Sequence, residues 1–201
     1  MSSLLTADLF VEDRAHEEFL KAILTRIAKQ EGGQLDLHIR SARGGHGRVL
    51  QELVVYQKSV LRSPQSIPMP DLLFIAIDAN CQRFTKARES IVSKVENPFR
   101  ERAVIACPDP HIERWYLADP ESFVQVVGIR PQLGKKKCER DWYKAMPAKA
   151  IREAGHPPTL GGVEFAKELA DQMDFFRAGK TESSLRHFLD ETIKRLRQMK
   201  A

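Results

Sequence analysis

Hydrophobic residues change their spacing repeatedly along this chain, and each change marks a new element. Ser3 to Val11 gathers Leu4, Leu5, Leu9, Phe10 and Val11, then turns abruptly polar at Glu12-Asp13-Arg14, the pattern of a strand running into a loop. From Ala15 to Gln30 the apolar positions Phe19, Leu20, Ile23, Leu24 and Ile27 recur at helical spacing, and Gly32-Gly33 supplies a stop. Leu35, Leu37 and Ile39 alternate with polar residues, as in a half-buried or edge strand, which ends in the loop Ser41 to Arg48. Val49, Leu50, Leu53, Val54, Val60 and Leu61 return to helical spacing until Pro64, Pro68 and Pro70 forbid continuation. Leu72 to Ile77 is apolar on both faces, the signature of a central strand covered from both sides, and it ends in Asp78-Ala79-Asn80. Thr85 to Glu96 is helix-compatible, and Ala103 to Cys107 is a further short strand.

This alternation predicts an α/β fold: a Rossmann-like, mostly parallel four-stranded sheet flanked by helices, with functional groups collected beyond the carboxyl ends of the strands. The remainder reads as a helical C-terminal extension. It comprises Ile112 to Ala118, a helix opened by Asp119 as N-cap with Pro120 at its first position, and two amphipathic helices near 163–177 and 183–199. Between them, 134–158 is basic and carries Pro147, Pro157 and Pro158, so an irregular or partly helical excursion is expected. The division is an α/β domain over 1–120 with a helical extension over 121–201 packed on it.

Composition adds limits. A chain of 201 residues, 42% hydrophobic and 29% charged, has the material for one substantial core. Its longest apolar run, Leu72 to Ile77, is far shorter than the roughly 20 residues a membrane helix needs. Met1 to Ala7 has no basic residue and no long apolar stretch, so no secretory signal is expected and the cytoplasm is the expected compartment. Cys81, Cys107 and Cys138 are widely spaced and odd in number, which supports neither a disulfide framework nor a zinc site. The formal charge of +5 is compatible with a nucleic-acid partner.

The candidate chemistry sits at strand ends. Glu12 follows one apolar strand directly and Asp78 follows the most buried one, so a parallel sheet sets both carboxylates at the same edge. Hard divalent cations are held by one or two carboxylates plus water and phosphate oxygens, the arrangement that phosphoryl transfer uses. The competing reading is that both acids cap helices or solvate strand ends. Glu113, in the first turn after the fourth strand, is a further candidate, or simply a favourable first-turn carboxylate. Arg43-Gly44-Gly45-His46-Gly47-Arg48 joins flexible backbone, two guanidinium groups and a helix start, which suits phosphate contact, although the Gly-Lys-Ser/Thr ending of a P-loop is missing. Lys135-Lys136-Lys137, Arg140 and Lys144 extend a basic track. Trp115, Leu117 and Phe123 read as core, and His111, a lone histidine, is left outside the site.

Three segments carry a family resemblance. Val11-Glu12-Asp13-Arg14-Ala15-His16-Glu17-Glu18-Phe19-Leu20 resembles the opening of Toprim domains, where a strand ends in Glu before a helix that begins with Phe-Leu. Ile75-Ala76-Ile77-Asp78-Ala79-Asn80 resembles the Toprim Asp-x-Asp strand end. Ile105 to Asp119 is similar to the Glu-x-Trp-x-x-Ala-Asp segment of small stand-alone Toprim-like bacterial proteins, often encoded beside ABC-type ATPases in phage-defence loci. The resemblance covers about 1–120 and implies a metal-dependent nuclease or related phosphoryl-transfer protein in antiviral defence. It implies Mg²⁺ or Mn²⁺ held by Glu12, Asp78, Asn80 and Glu113, with Glu12 and Asp78 catalytic and His16 behind them. DNA or RNA is the implied target, with an ABC-type ATPase as partner and a homodimer left open. From the residues themselves, Arg43, His46, Arg48 and Lys144 are the candidate phosphate or nucleic-acid contacts, a plain connecting loop and solvated lysines being the alternative. Asp13 stands where the family carries Gly, His16 where it carries a second acid, and Asn80 where it carries the second Asp. Each of the latter two removes a negative charge, so the alternatives are a site that favours Mn²⁺ or a weakened one, in a binding subunit or nucleic-acid-binding module of a defence complex.

Overall fold

A computed structural model describes residues 4–42, 44–132, 139, 142–158 and 160–199. Its four strands, β1 (Leu4–Val11), β2 (Gln34–Ser41), β3 (Leu72–Ala76) and β4 (Ala103–Ala106), form one all-parallel sheet in the order β2-β1-β3-β4. Helices α1 (Arg14–Gln30), α2 (His46–Arg62) and α3 (Phe84–Val92) connect successive strands. The chain leaves β1 toward β2, then returns across β1 to β3. Right-handed crossovers running in opposite directions must put their helices on opposite faces.

The cores obey that rule with a period of two. Leu9, Val11, Phe74, Ala76, Val104 and Ala106 face α1 through Phe19, Ile23 and Ile27. Phe10, Leu73, Ile75 and Ile105 face α2 and α3 through Val49, Leu53, Val60 and Ile91. The reversal of crossover direction falls between β1 and β3, whose last paired residues are Val11 and Ala76. Among the described residues, the helices that follow β1 and β3 leave on opposite faces, so the carboxyl ends of these two strands lie where the crossovers part.

Beyond β4 the chain is helical: α4 (Ile112–Tyr116), α5 (Pro120–Val127), α6 (Trp142–Glu153), α7 (Ala166–Gln172), α8 (Phe175–Thr181) and α9 (Ser183–Gln198). Leu169, Leu185, Phe188 and Leu196 join the α1-side core of the sheet, so the extension shares one core with the α/β unit. Trp115, Leu117 and Phe123 are buried there as expected, Trp115 stacking on Phe188 with ring centroids 5.4 Å apart. Within 134–158, α6 is continuous through Pro147, while Lys135, Lys136, Lys137, Cys138 and Arg140 lie outside the described residues. Among the described residues, no helix is long and apolar enough to cross a membrane.

Two expectations need correction. The single helix over 163–177 is instead a short 3-10 turn (Val163–Phe165) followed by α7 and α8, broken at Met173-Asp174. The break is held from both sides. Asp174 caps α8 by accepting from the Arg177 N–H at 2.9 Å, while Arg26 donates to the carbonyls of Ala170 and Met173 at 2.9 and 2.6 Å, satisfying the open end of α7. Asp119 precedes α5 as expected, its carbonyl accepting the Phe123 N–H at 3.0 Å, but its side chain makes no capping bond to that helix's backbone. It is 1% exposed and accepts from Ser122 Oγ, the Asp174 N–H, and Nε and Nη2 of Arg177, all within 3.0 Å. A carboxylate with this many donors is worth more as a buried junction than as a cap.

Asp119→Ala is expected to cost about 2 kcal/mol, since it strips the Asp174 N–H of its acceptor and removes a buried ionic hydrogen-bond set. Burial pushes the Asp119 carboxyl up, but Arg177, Ser122 and the Asp174 N–H outweigh burial and leave it below its ordinary range. A depressed folded-state value means that the stabilisation is complete above about pH 4 and fades as pH falls through the folded value. Denaturant melts of wild type and variant should therefore differ at pH 7 and converge on acidification.

Candidate metal centre

Local chemistry brings the first three groups into place. Glu12 is the residue after β1, and Asp13 is the extended N-cap of α1, accepting the His16 N–H at 3.1 Å. The same oxygen lies 2.8 Å from His16 Nδ1, which fixes the imidazole over the start of the helix and turns its other nitrogen toward Asp78. His16 is fully buried, and its Nε2 lies 3.0 Å from Asp78 Oδ1. Asp78 follows β3 and is 5% exposed. Its second oxygen lies 3.0 Å from Nδ1 of His111, in the loop after β4. Backbone bonds from Ala79 to Pro108 (2.8 Å) and from Asn80 to Pro110 (2.9 Å) zip the two loops together and so deliver His111. The result is a hydrogen-bonded row, Asp13, His16, Asp78, His111.

Glu12, His16 and Asp78 each offer one ligand atom, and these atoms all lie within 4.8 Å of one another. The group can hold a metal ion. Glu12 Oε1 is buried with no hydrogen-bond partner among the described residues, the nearest cation-forming atom recorded being His46 Nδ1 at 3.9 Å. A buried carboxylate oxygen without a donor carries its desolvation cost uncompensated, and a divalent cation between Glu12 and Asp78 removes that deficit. Two carboxylates and an imidazole form an oxygen-rich set suited to a hard or borderline divalent ion.

The electrostatics follow from burial and neighbours. Burial, with Asp78 and Asp13 nearby, pushes the Glu12 carboxyl up to about 7 against the opposing pull of His16 and the Asp78 backbone N–H. Asp13 is pulled down to about 2, because the His16 hydrogen bond and charge overcome burial. Asp78 is likewise lowered by His16 and His111 against the cost of burial. Burial alone pushes His16 down, yet the carboxylates on its two sides raise it well above its usual value. The two flanking carboxylates therefore favour the protonated form of His16. As a metal ligand it must first release a proton; otherwise it stays beside the ion as a second positive charge.

The remaining expected residues divide by geometry. His16, expected behind the carboxylates, is a member of the close group itself. Glu113, at the start of α4, is buried with Oε2 unpaired among the described residues. Burial and then Asp78 raise its carboxyl, so it lies near enough to feel the Asp78 charge although it stands outside the close group. Asn80 serves the turn: its φ of +53° is a conformation that Asn tolerates, and its side-chain amide donates to the Asp78 carbonyl at 3.1 Å. Lys144, exposed on α6, lies close enough to Asp13, His111 and Glu113 to act on their charges. His46 reaches toward Glu12, and α2 begins there after Gly45, at φ +76° and with no side-chain cap among the described residues, a helix N-terminus of the kind that suits an anion. Arg48 instead turns to Glu52 at 2.8 Å and lines an open groove with Arg40 and Tyr56. Arg43 lies outside the described residues. His111 was missed because it looks isolated in sequence. Its position just past the strand beside β3 was the available signal.

Mn²⁺ and Mg²⁺ are expected to raise the melting temperature of the wild-type protein, and Glu12→Gln or Asp78→Asn to abolish that shift. Because Glu12, raised to about 7, must lose its proton before it can bind the ion, affinity should weaken about tenfold per pH unit below that value for one displaced proton. Calorimetric titration across that range measures the slope. Compared with protein-family models, with curated proteins and with solved structures, the chain gives no match.

Proposed function

We propose that this chain is a Toprim-like, metal-dependent phosphoryl-transfer protein that cleaves phosphodiester bonds in nucleic acid. The observation that carries the reading is the meeting of Glu12 and Asp78 at adjacent parallel strand ends, with a buried Glu12 oxygen that lacks a donor. Mg²⁺ or Mn²⁺ at this group supplies Lewis acidity toward a phosphate oxygen and lowers the pKa of a bound water. An imidazole within the set favours Mn²⁺.

The chain's own residues have distinct tasks in this reading. Asp78 is fixed by hydrogen bonds from both sides, from His16 and His111, so its direction is set before any substrate arrives. Glu12, whose carboxyl is raised to about 7, takes up or returns a proton near neutral pH. The first turn of α2 after Gly45, with His46 and Lys144 near the metal centre, binds the phosphate chain. A defence role with an ABC-type ATPase partner belongs to the same proposal and rests on the sequence resemblance.

One observation favours a second reading. Both nitrogens of His16 already have carboxylate partners, so an internal cation balances the site without any ion. Such a centre suits a binding subunit that contributes no cleavage alone.

Purified protein incubated with DNA and RNA in Mn²⁺ or Mg²⁺ is expected to cut one of them. Glu12→Gln and Asp78→Asn should each lower the rate by about 100-fold or more, and Lys144→Ala should raise KM while sparing kcat. Cleavage that survives Glu12→Gln removes the assignment of the site. The absence of both cleavage and a metal-dependent shift in melting temperature from the isolated protein, whatever the pH, selects the second reading.

A further inference from the structure

β2 is an edge strand of eight residues, bonded to β1 along its whole length from Leu4↔Gln34 to Val11↔Ser41. Among the described residues, no other segment forms a hydrogen bond with its main chain. Edge strands in native proteins are usually shortened, bulged, covered or guarded by lysine or proline, because an open row of N–H and C=O groups recruits another strand. β2, Gln34-Leu35-Asp36-Leu37-His38-Ile39-Arg40-Ser41, has no bulge, lysine or proline, and its ionisable residues Asp36, His38 and Arg40 are of mixed sign, which a second copy can match. One of its faces is also uncovered. No residue of β2 joins the core under α2, and a groove of about 510 Å³ lies beside the strand, lined by Arg40, Glu52, Val55 and Tyr56. Val55 is 65% exposed on that side.

We propose that β2 pairs antiparallel with β2 of a second copy of this chain, joining the two four-stranded sheets into one. The strand's own sequence selects this occupant. A two-fold axis normal to the sheet keeps each residue on its face, so only positions of equal parity meet across the axis. Of the two registers that keep seven of the eight residues paired, one centres on Leu37 and the other on His38. Centring on His38 sets imidazole against imidazole, matches Leu35 with Ser41, and offers Asp36 only Arg40, which Asp8 already holds at 2.6 Å. Centring on Leu37 sets Asp36 opposite His38 twice, Leu35 opposite Ile39 twice and Leu37 opposite itself. Every apolar residue then meets an apolar one, and every carboxylate meets an imidazole. Asp36 and His38 are about half exposed, at 53% and 57% of their side chains, and lie 3.5 Å apart along the strand, so pairing across the seam exchanges one Asp–His contact within each strand for two between strands.

Two consequences follow. Antiparallel joining points the two carboxyl edges in opposite directions, so the two metal centres lie on opposite margins of the shared sheet and neither is covered. Seven paired residues bury less than the roughly 1,600 Å² of a standard interface, so dissociation in the micromolar range is expected. The inference stands apart from the proposed function, since nothing in it depends on the metal centre.

Sedimentation velocity from about 1 to about 100 µM brackets that range and should show a monomer–dimer equilibrium for the full chain. His38→Asp sets carboxylate against carboxylate at both Asp36 positions and should weaken the dimer about tenfold. The double variant Asp36→Lys, His38→Lys should be weakened similarly. An equimolar mixture of the two variants should recover dimer as the heterodimer, at wild-type affinity or tighter. These positions are surface-exposed, and unchanged melting temperatures would confirm intact folding. Wild type that stays monomeric throughout the range overturns the proposal. So does a dimer that ignores the charge reversals, or a mixture that fails to recover dimer; a strand supplied by a different protein would give the monomeric result.

Discussion

Everything at the carboxyl edge depends on the parallel pairing of β1 with β3. Parallel ladders are evenly spaced, so strands paired residue for residue run out together; Val11 against Ala76 sets Glu12 level with Ile77 and Asp78 one residue further on, and their side chains converge at the same end of the sheet. The crossovers leave these strands in opposite directions, so their helices lie on opposite faces. A slip of register by one residue would turn each side chain to the other face. Leu9, Val11, Phe74 and Ala76 on one face, and Phe10, Leu73 and Ile75 on the other, make such a slip costly. The two apolar cores thereby fix the register from which both carboxylates emerge, and the loop bonds of Ile77 and Ala79 hold the segment that carries Asp78.

Packing acids into such an edge requires compensation. Glu12, Asp13, Asp78 and Glu113 crowd this edge, and burial opposes the ionisation of each. His16 and His111 are the answer for Asp78, which stays ionised, while Glu12 and Glu113 lack comparable donors and shift upward. Carboxyls of contrasting environment side by side are the arrangement expected where one group must hold charge and another must exchange protons.

The C-terminal extension contributes to this edge from behind. Ser184, at the start of α9, accepts from the Asp109 N–H at 3.3 Å and from Trp115 Nε1 at 2.8 Å, and donates to Glu182 at 3.0 Å. Glu182 in turn holds Arg114 in an ion pair. These bonds grip both sides of His111, so the helices that follow the α/β unit set the position of a site residue while standing outside the site. Trp115 thus has two tasks: its ring fills the core against Phe188, and its indole nitrogen finds the partner that a buried donor requires.

The sequence by itself determined the strands, the first helices and the candidate pair Glu12 and Asp78. Those features are written in local periodicity and in polar residues placed directly after apolar runs. It also marked Trp115 and Phe123 as core. Only the tertiary structure decided that His16 bridges Asp13 and Asp78, that His111 closes the row, that Asn80 belongs to a turn, and that Asp119 with Arg26 and Asp174 breaks the helix expected over 163–177. The reason is physical. His16 and Asp78 are 62 positions apart, and Asp78 and His111 are 33 apart, so their meeting is created by strand order and loop pairing. Spacing along the chain carries the period of a helix or strand, but a hydrogen bond between distant polar side chains leaves no periodic trace. It forms only once the apolar faces have folded the sheet and brought those loops together.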